Sequence, residues 1–191
     1  MRIDKDLINL VTNSAMKTGN NYGTGILLVH PTTRKILLAK RTDTKNWCSP
    51  GGKCEVGESP LMGILRETKE ESNVTVNSIK LYDYEMHTSD NGKNWTSFMF
   101  LSDDFDYSNI EHQVTEVEPW DWFTVEEALQ MDLFPPTRKS IERAIENGVL
   151  DSSCPETNYI PFVECPTTGF VKDSCCCAYS FTPLEQIFVC N

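Results

Sequence analysis

Residues 51–74 read Gly-Gly-Lys-Cys-Glu-Val-Gly-Glu-Ser-Pro-Leu-Met-Gly-Ile-Leu-Arg-Glu-Thr-Lys-Glu-Glu-Ser-Asn-Val. A glycine pair opens this stretch, and a backbone without side chains can approach a ligand closely there. Ser59 followed by Pro60 predicts the start of a helix, with the serine as N-cap and the proline in the first turn. We expect the helix to end at about Ser72, with Asn73 in the left-handed conformation that stops helices. Its core-facing stripe is predicted to consist of Leu61, Ile64, Leu65 and Thr68.

Three carboxylates lie on another side of the predicted helix. Glu67, Glu70 and Glu71 are spaced i, i+3 and i+4, so we expect them to converge on one patch. Like charges repel at this spacing, and a divalent cation would turn the repulsion into binding because Mg²⁺ selects hard oxygen ligands. Arg66 lies four residues before Glu70 and can hold it by an ion pair. A solvated acidic face without a metal is the alternative interpretation.

The spacing around these acids carries more information than the acids alone. It reads Gly-x5-Glu-x7-Arg-Glu-x-x-Glu-Glu and resembles the Nudix box of the Nudix hydrolase family, with matches at Gly52, Glu58, Arg66, Glu67, Glu70, Glu71 and Val74. Two positions differ, since Thr68 replaces an aliphatic residue and Asn73 replaces a glycine. Neither change removes a carboxylate. The resemblance extends over roughly residues 22–147.

The resemblance implies a fold and a division of the chain. The fold is the α/β Nudix fold, a mixed β-sheet between α-helices, and it is expected over residues 22–150. An N-terminal helix is expected over residues 1–21, docked on the domain or on a second subunit. Residues 151–191 form a cysteine-rich C-terminal extension.

The resemblance also implies a reaction, the hydrolysis of a nucleoside diphosphate linked to another group by metal-activated water. The cofactor is Mg²⁺, with Mn²⁺ as an alternative. By the resemblance, Glu67 is the general base or a further metal ligand, and Arg66 orients the acids. Glu58 supports the acids and is also expected to be a substrate-binding residue. Besides Glu67, the implied metal ligands are Glu70, Glu71, the Gly51 carbonyl and the adjacent Gly52.

Residues before and after the box extend the candidate site. Arg41 and Trp47 precede the glycine pair, as is typical of MutT-like members of the family. Arg41 either binds phosphate oxygens or pairs with the acidic surface, and Trp47 either packs or stacks on a base. Family members that cleave nucleoside triphosphates carry a similar glutamate shortly before a Trp-x-Trp or Trp-Phe pair. By that similarity Glu118 is the first candidate for a further metal ligand and Glu116 the second, with a solvated loop acid as the alternative.

Hydrophobic patterning places strands and helices around the box. Apolar runs at residues 25–29 and 35–39 flank a turn and predict a β-hairpin. Residues 74–84 and 96–101 predict two more strands, joined at Asn-Gly, a pair that favours positive φ. Helical segments are expected from residue 125 and from residue 135 to a stop at residue 148.

Charge and cysteine content limit partners and location. A formal net charge of −11 argues against binding a nucleic-acid duplex, which needs a basic surface. No apolar run approaches the ~18 residues of a membrane span, and no signal peptide is recognisable, so we expect a cytoplasmic protein with reduced thiols. Six of the eight cysteines lie in residues 151–191. They indicate a structural extension, a zinc site or a redox or intermolecular disulfide, and the extension could cover the cleft or a homodimer interface.

Three functions remain open from the sequence. The favoured one is a Mg²⁺-dependent pyrophosphohydrolase acting on a nucleoside triphosphate or a modified nucleotide. The second is cleavage of ADP-ribose, a dinucleotide or a nucleotide-sugar, although the proline and tyrosine typical of the ADP-ribose and dinucleotide enzymes are missing downstream of the box. The third is a catalytically silent module that binds a nucleotide or a protein. Such modules typically lose box carboxylates, and this chain keeps them all.

Overall fold

A computed structural model describes residue 11 and residues 21–88, 92–111, 117–151 and 187–188. The strands in these residues are β1 Asn21–Leu28, β2 Ile36–Lys40, β3 Trp47–Cys48, β4 Gly51–Lys53, β5 Thr75–Thr88, β6 Asn94–Asp106, β7 Asp121–Phe123 and β8 Ile187–Phe188. The helices are α1 Pro60–Ser72, α2 Val125–Gln130 and α3 Pro135–Glu146.

The strands form two sheets. The larger has the order β4-β1-β6-β5-β8, in which β1 runs parallel to β6 and the other neighbours are antiparallel. The smaller is antiparallel with the order β3-β2-β7. The mixed sheet confirms the predicted α/β class.

The predicted hairpin between β1 and β2 is confirmed at its turn but not along the two strands. The connecting turn exists, since the His30 amide donates to the Lys35 carbonyl at 2.8 Å and Val29 bridges Ile36. Beyond the turn the two strands enter different sheets, because β1 already pairs with β4 on one edge and β6 on the other. Two apolar runs around a turn therefore identified the strands but assigned them the wrong partners.

Both faces of the larger sheet are covered. Ile26 and Leu28 of β1 pack in a cluster with Ile64 of α1, whereas Leu27 and Val29 pack in a second cluster that contains Ile141 and Ala144 of α3. Successive side chains of a strand point to opposite faces, so the continuous apolar run of β1 is buried from both sides. The helices α1 and α3 therefore sandwich the sheet, as the sequence predicted.

The second pair of strands is longer than predicted. Strands β5 and β6 extend well past the predicted bounds of 74–84 and 96–101 and pair in antiparallel register from Thr75–Asp106 to Thr88–Asn94. Gly92 has φ of 76°, which fits the predicted turn. A register shift between Leu81 and Asp83 marks an irregularity in β5. The helical predictions near residues 125 and 135 are confirmed by α2 and α3.

Several predictions fall largely outside the described residues. Of the expected N-terminal helix, only Val11 is described, and it is helical and buried. Of the cysteine-rich extension, β8 pairs antiparallel with β5 at Ser78 and Ile79. The six cysteines of that extension are not among the described residues, so its chemistry and the domain boundaries stay predictions. Within the described part of the chain, no helix has the length and apolar character needed to cross a membrane.

Candidate active site

Helix α1 has the caps that its sequence predicts. The Ser59 side chain accepts a hydrogen bond from the Met62 amide at 3.3 Å, and Asn73 ends the helix with φ of 58°. Ile64 and Thr68 are fully buried, and the Thr68 hydroxyl donates to the Ile64 carbonyl at 2.7 Å. The threonine thus fits at a core position where an aliphatic residue is usual. Burial of this side fixes the rotation of α1 and directs the acidic side toward β4.

Arg66 is the centre of the polar contacts on that side. Its Nε and Nη2 donate to the two carboxylate oxygens of Glu58 at 2.7 and 3.1 Å, while Nη1 donates to Glu70 at 2.9 Å. Nη2 also donates to Glu67 and to the Lys53 carbonyl, both at 3.1 Å. The hydrogen bond from the guanidinium is the main cause that lowers the pKa of Glu58. Arg66 therefore fixes three carboxylates and ties the helix to β4.

The glycine pair lies against the carboxylates of Glu67 and Glu71. The Gly51 amide donates to the Glu71 carboxylate at 2.9 Å. A Cβ on Gly52 would stand 2.4 Å from a Glu67 carboxylate oxygen, and a Cβ on Gly51 would stand 2.4 Å from the Thr24 carbonyl oxygen. No other residue type would fit at either position without movement of its surroundings.

Glu67 is more enclosed than Glu70, another of the three metal-ligand candidates that α1 provides. Its side chain is 17% exposed, and burial is the main cause that raises the pKa of its carboxyl above the ordinary value. An enclosed carboxylate with a raised pKa stabilises a proton or cation placed beside it. Hard oxygen donors are the ligands that Mg²⁺ selects, so the chemistry of the donor set fits this ion.

The three acids do not converge on one patch as the helical spacing predicted. Glu70 is 55% exposed and pairs with Arg66, whereas Glu71 accepts from the Gly51 amide. Among the described residues, no group of three or more His, Cys, Asp or Glu side chains is arranged to hold a metal ion. Adjacent carboxylates repel one another, and here Glu67 and Glu70 share the Arg66 guanidinium while Glu71 is bound by a backbone amide. The assignment of these acids as metal ligands therefore stays a proposal.

A pocket of about 490 Å³ lies on the opposite side of the glycine pair. Its sheet side comes from alternate residues of neighbouring strands, and its other side from the start of α3. The principal lining residues are Gly23, Gly25, Glu85, His87, Trp95, Ser97, Phe134, Thr137 and Lys139, with Gly51 and Gly52 at the border to the carboxylates. This volume is within the usual range for a small-molecule site.

The missing side chains of β1 create the floor of the pocket. Gly23 and Gly25 line it on the same face of the strand as Leu27, which packs against α3. A Cβ on Gly25 would have no other atom within 4 Å. Glycine inside a strand often marks the close approach of a ligand, so Gly-x-Gly in β1 is the sequence signal that was missed.

Charged and aromatic groups complete the pocket walls. Lys139 of α3 forms an ion pair and hydrogen bond with Glu85 of β5. The Lys53 ammonium lies 5.5 Å from the ring centroid of Trp95. Hydrophobic patterning does not show which residues of β5, β6 and α3 face the pocket, so these residues could not be predicted from the sequence.

The predicted substrate residues before the box lie in other contacts. Arg41 donates from Nε and Nη2 to the two oxygens of Asp43 at 2.9 and 2.8 Å, and its guanidinium lies 4.9 Å from the ring centroid of Phe134. This matches the alternative in which Arg41 pairs with the acidic surface. Trp47 packs edge-on against Phe123 with centroids 4.9 Å apart, in agreement with the packing interpretation.

Glu118, the candidate metal ligand beyond the box, lies close to a surface lysine. A carboxylate oxygen of Glu118 is 3.8 Å from Lys45 Nζ, and the side chain is 47% exposed. Two residues later, Trp120 donates from Nε1 to the Glu71 carbonyl at 2.8 Å, so this loop contacts the end of α1. Glu116 is outside the described residues.

Comparisons with known proteins agree with this geometry. The NUDIX domain family model matches residues 19–144, more than half of the chain. The Nudix hydrolase YvcI of Bacillus subtilis is 26% identical over 108 residues, which cover 54% of this chain and 67% of YvcI. The asymmetrical bis(5'-nucleosyl)-tetraphosphatase of Mus musculus is 27% identical over 115 residues, covering 58% of this chain and 78% of its own length. The crystal structure of a MutT Nudix hydrolase from Burkholderia pseudomallei matches with a TM-score of 0.57 and 26% identity, covering 65% of this chain and 97% of that one. The chain therefore belongs to the Nudix family and is a pyrophosphohydrolase of that family.

Proposed function

We propose that this chain is a Mg²⁺-dependent enzyme that cleaves a diphosphate linkage in a nucleoside triphosphate or a modified nucleotide. The observation that carries the proposal is the position of the glycine pair. Gly51 and Gly52 border the pocket on one side and meet the carboxylates of Glu67 and Glu71 on the other. A nucleotide with its base in the pocket would therefore present its phosphates to the acidic side of α1.

Each acid has a proposed role. Glu70, Glu71 and the Gly51 carbonyl would hold the ion, with Gly52 leaving room for Glu67. Mg²⁺, when bound, neutralises phosphate charge and lowers the pKa of water. Glu67 accepts the proton of the attacking water, a role that its raised pKa supports. Arg66 and Glu58 keep the acids in position through their paired hydrogen bonds.

Isosteric replacement of a ligand tests the proposal. Wild-type protein and Glu71→Gln are incubated with nucleoside triphosphates and Mg²⁺, and the products are separated chromatographically. We expect a monophosphate and pyrophosphate from the wild type, and a loss of at least about 100-fold in turnover for Glu71→Gln, the order seen when one group that stabilises a transition state is removed. Glu142→Gln is the matched control, because Glu142 is 52% exposed on α3 and pairs with Arg138. Full activity of a folded Glu71→Gln variant would contradict the assignment.

A second candidate function has support from relatives. Two asymmetrical bis(5'-nucleosyl)-tetraphosphatases match this chain, the murine one at 27% identity and that of Caenorhabditis elegans at 28%. Asymmetrical cleavage of a dinucleoside tetraphosphate yields a mono- and a triphosphate, whereas the favoured reaction yields a monophosphate and pyrophosphate. Competition between a triphosphate and a dinucleoside tetraphosphate in one reaction, followed by product analysis, distinguishes the two.

A further inference from the structure

We propose that the Glu85–Lys139 pair in the pocket reads the Watson–Crick edge of guanine, so that guanine nucleotides are the preferred ligands. The inference rests on the proposed function in one respect, the placement of the base in the pocket. Its evidence is separate from the catalytic acids, because both side chains line the pocket and neither belongs to the box.

The order of strands in the sheet determines which residues lie at the two ends of the pocket. The glycine pair is on β4 and Glu85 is on β5, and these strands are three positions apart in the sheet, about 14 Å at the usual strand spacing. Between them, Gly23 pairs with Ser97 and Ser97 pairs with Glu85 in one continuous row, which meets β4 at Lys53, next to Gly52. A nucleotide with its phosphates at the glycine pair would therefore extend its base across the sheet toward the Glu85 end of this row.

The surfaces along that row suit a flat ring. Gly23 and Gly25 leave the floor open, and Trp95 and Phe134 contribute aromatic surface from the sheet and from the start of α3. Aromatic side chains stack on any base, so they supply affinity without distinguishing one base from another. Discrimination must come from polar groups at the end of the row.

Glu85 and Lys139 are the charged pair at that end. They form one ion pair, with side chains 29% and 44% exposed. A carboxylate only accepts hydrogen bonds and has two oxygens, whereas an ammonium only donates and has three hydrogens. One contact between them therefore leaves both with capacity for a ligand.

Among the four common bases, guanine best fits the hydrogen-bond acceptors of Glu85 and the donors of Lys139 that their ion pair leaves available. Its N1–H and N2–H are adjacent donors that one carboxylate can accept together, and its neighbouring O6 is an acceptor for lysine. On the same edge, adenine and cytosine place an acceptor next to one amino group, and uracil has one N–H between two acceptors. A carboxylate beside an ammonium therefore favours guanine over all three.

Binding of nucleoside monophosphates tests this recognition without requiring hydrolysis. The affinities of the full chain for GMP, IMP, AMP, CMP and UMP are measured by calorimetry in the presence of Mg²⁺. IMP lacks only the 2-amino group, so it loses one hydrogen bond to the Glu85 carboxylate. We expect GMP to bind at least about tenfold more tightly than IMP, because a hydrogen bond to a charged group has that value.

The Glu85→Gln variant separates recognition from a structural role. Glutamine keeps the size and a neutral contact with Lys139 but has a single acceptor oxygen. The preference for GMP over IMP should then fall to less than about threefold, whereas Glu142→Gln on the exposed side of α3 should keep it. A merely structural role would change the thermal midpoint and the affinities for all five ligands together, leaving the GMP-to-IMP ratio unchanged.

The outcomes also distinguish this inference from the proposed function. Equal binding of GMP and IMP, a preference for another base, or no binding of any monophosphate up to millimolar concentration would overturn the inference. Hydrolysis of nucleoside triphosphates at equal rates for all bases would support the proposed function and contradict the preference for guanine. Selective GMP binding without hydrolysis of any nucleotide would support the inference and count against the proposed function.

Discussion

Filling the open floor of the pocket is the sharpest perturbation that the structure offers. Gly25→Val adds three carbon atoms at a position where the first of them meets nothing within 4 Å. The backbone of Gly25 is not among the positive-φ glycines, so an L side chain fits without strain. The first added carbon therefore reduces the volume of the pocket without displacing its surroundings.

The expected effect on activity follows from the thickness of the added group. Carbon atoms in contact are separated by about 3.5–4.0 Å, so a base cannot remain on the floor once valine occupies it. A misplacement of about 1 Å already costs on the order of 100-fold in rate. We expect kcat/KM to fall at least about 100-fold, with Gly25→Ala intermediate between wild type and Gly25→Val.

The stability of Gly25→Val should rise even though its activity falls. Replacing glycine in a strand by a residue that accepts the same backbone conformation stabilises a protein by about 0.4–1 kcal/mol, because the unfolded chain loses freedom. The thermal midpoint of Gly25→Val should therefore equal or exceed that of the wild type.

Steady-state kinetics and thermal unfolding of the same preparations provide the assay. Thr96→Val is the matched control, since it places a valine in neighbouring β6 at a position that does not line the pocket. The control should keep its kcat/KM within about threefold of the wild type, which corresponds to less than 1 kcal/mol. Wild-type activity in a folded Gly25→Val variant would show that the substrate does not use this pocket, and the reasoning about the floor would be wrong.

Three further substitutions test the box and its helix. Gly52→Ala places a Cβ 2.4 Å from the Glu67 carboxylate, so turnover should fall by about 100-fold or more while circular dichroism stays unchanged; retained turnover would mean that Glu67 moves freely. Arg66→Lys cannot form the two-point contact with Glu58, so urea denaturation should register a loss of about 1–3 kcal/mol, and an unchanged midpoint would contradict the central role of the guanidinium. Asn73→Ala at φ of 58° should destabilise by about 1 kcal/mol relative to Asn73→Gly in thermal unfolding, and equal midpoints would exclude backbone conformation as the reason for asparagine there.

Local signals explain what the sequence predicted well. The bounds and caps of α1 depend on neighbours within four residues, so Ser59, Pro60 and Asn73 were sufficient to place them. The pairing of Arg66 with Glu70 has the same origin, since residues four apart are adjacent on a helix. These features do not depend on the order of strands in the sheet.

Non-local contacts explain what the sequence predicted poorly. The hairpin does not continue past its turn because β4, which begins 30 residues after β1, pairs with the edge of β1 from which the turn to β2 leaves. The convergence of three acids failed for a related reason, since Glu71 turns to the Gly51 amide on a separate strand. Helical spacing fixes where a side chain starts, and contacts from distant segments decide where its charged end lies.

This difference has a consequence for how the chain combines chemistry with recognition. The acids and their arginine come from one continuous segment, residues 51–71, whereas the pocket is assembled from β1, β5, β6 and the start of α3. Only the glycine pair belongs to both. If the base binds in the pocket as we propose, substitutions there should change which nucleotide binds without altering the carboxylates, and a chain with the same box could act on another substrate. On this proposal, Gly25, Glu85, Trp95 and Lys139 rather than the box residues determine the identity of the substrate.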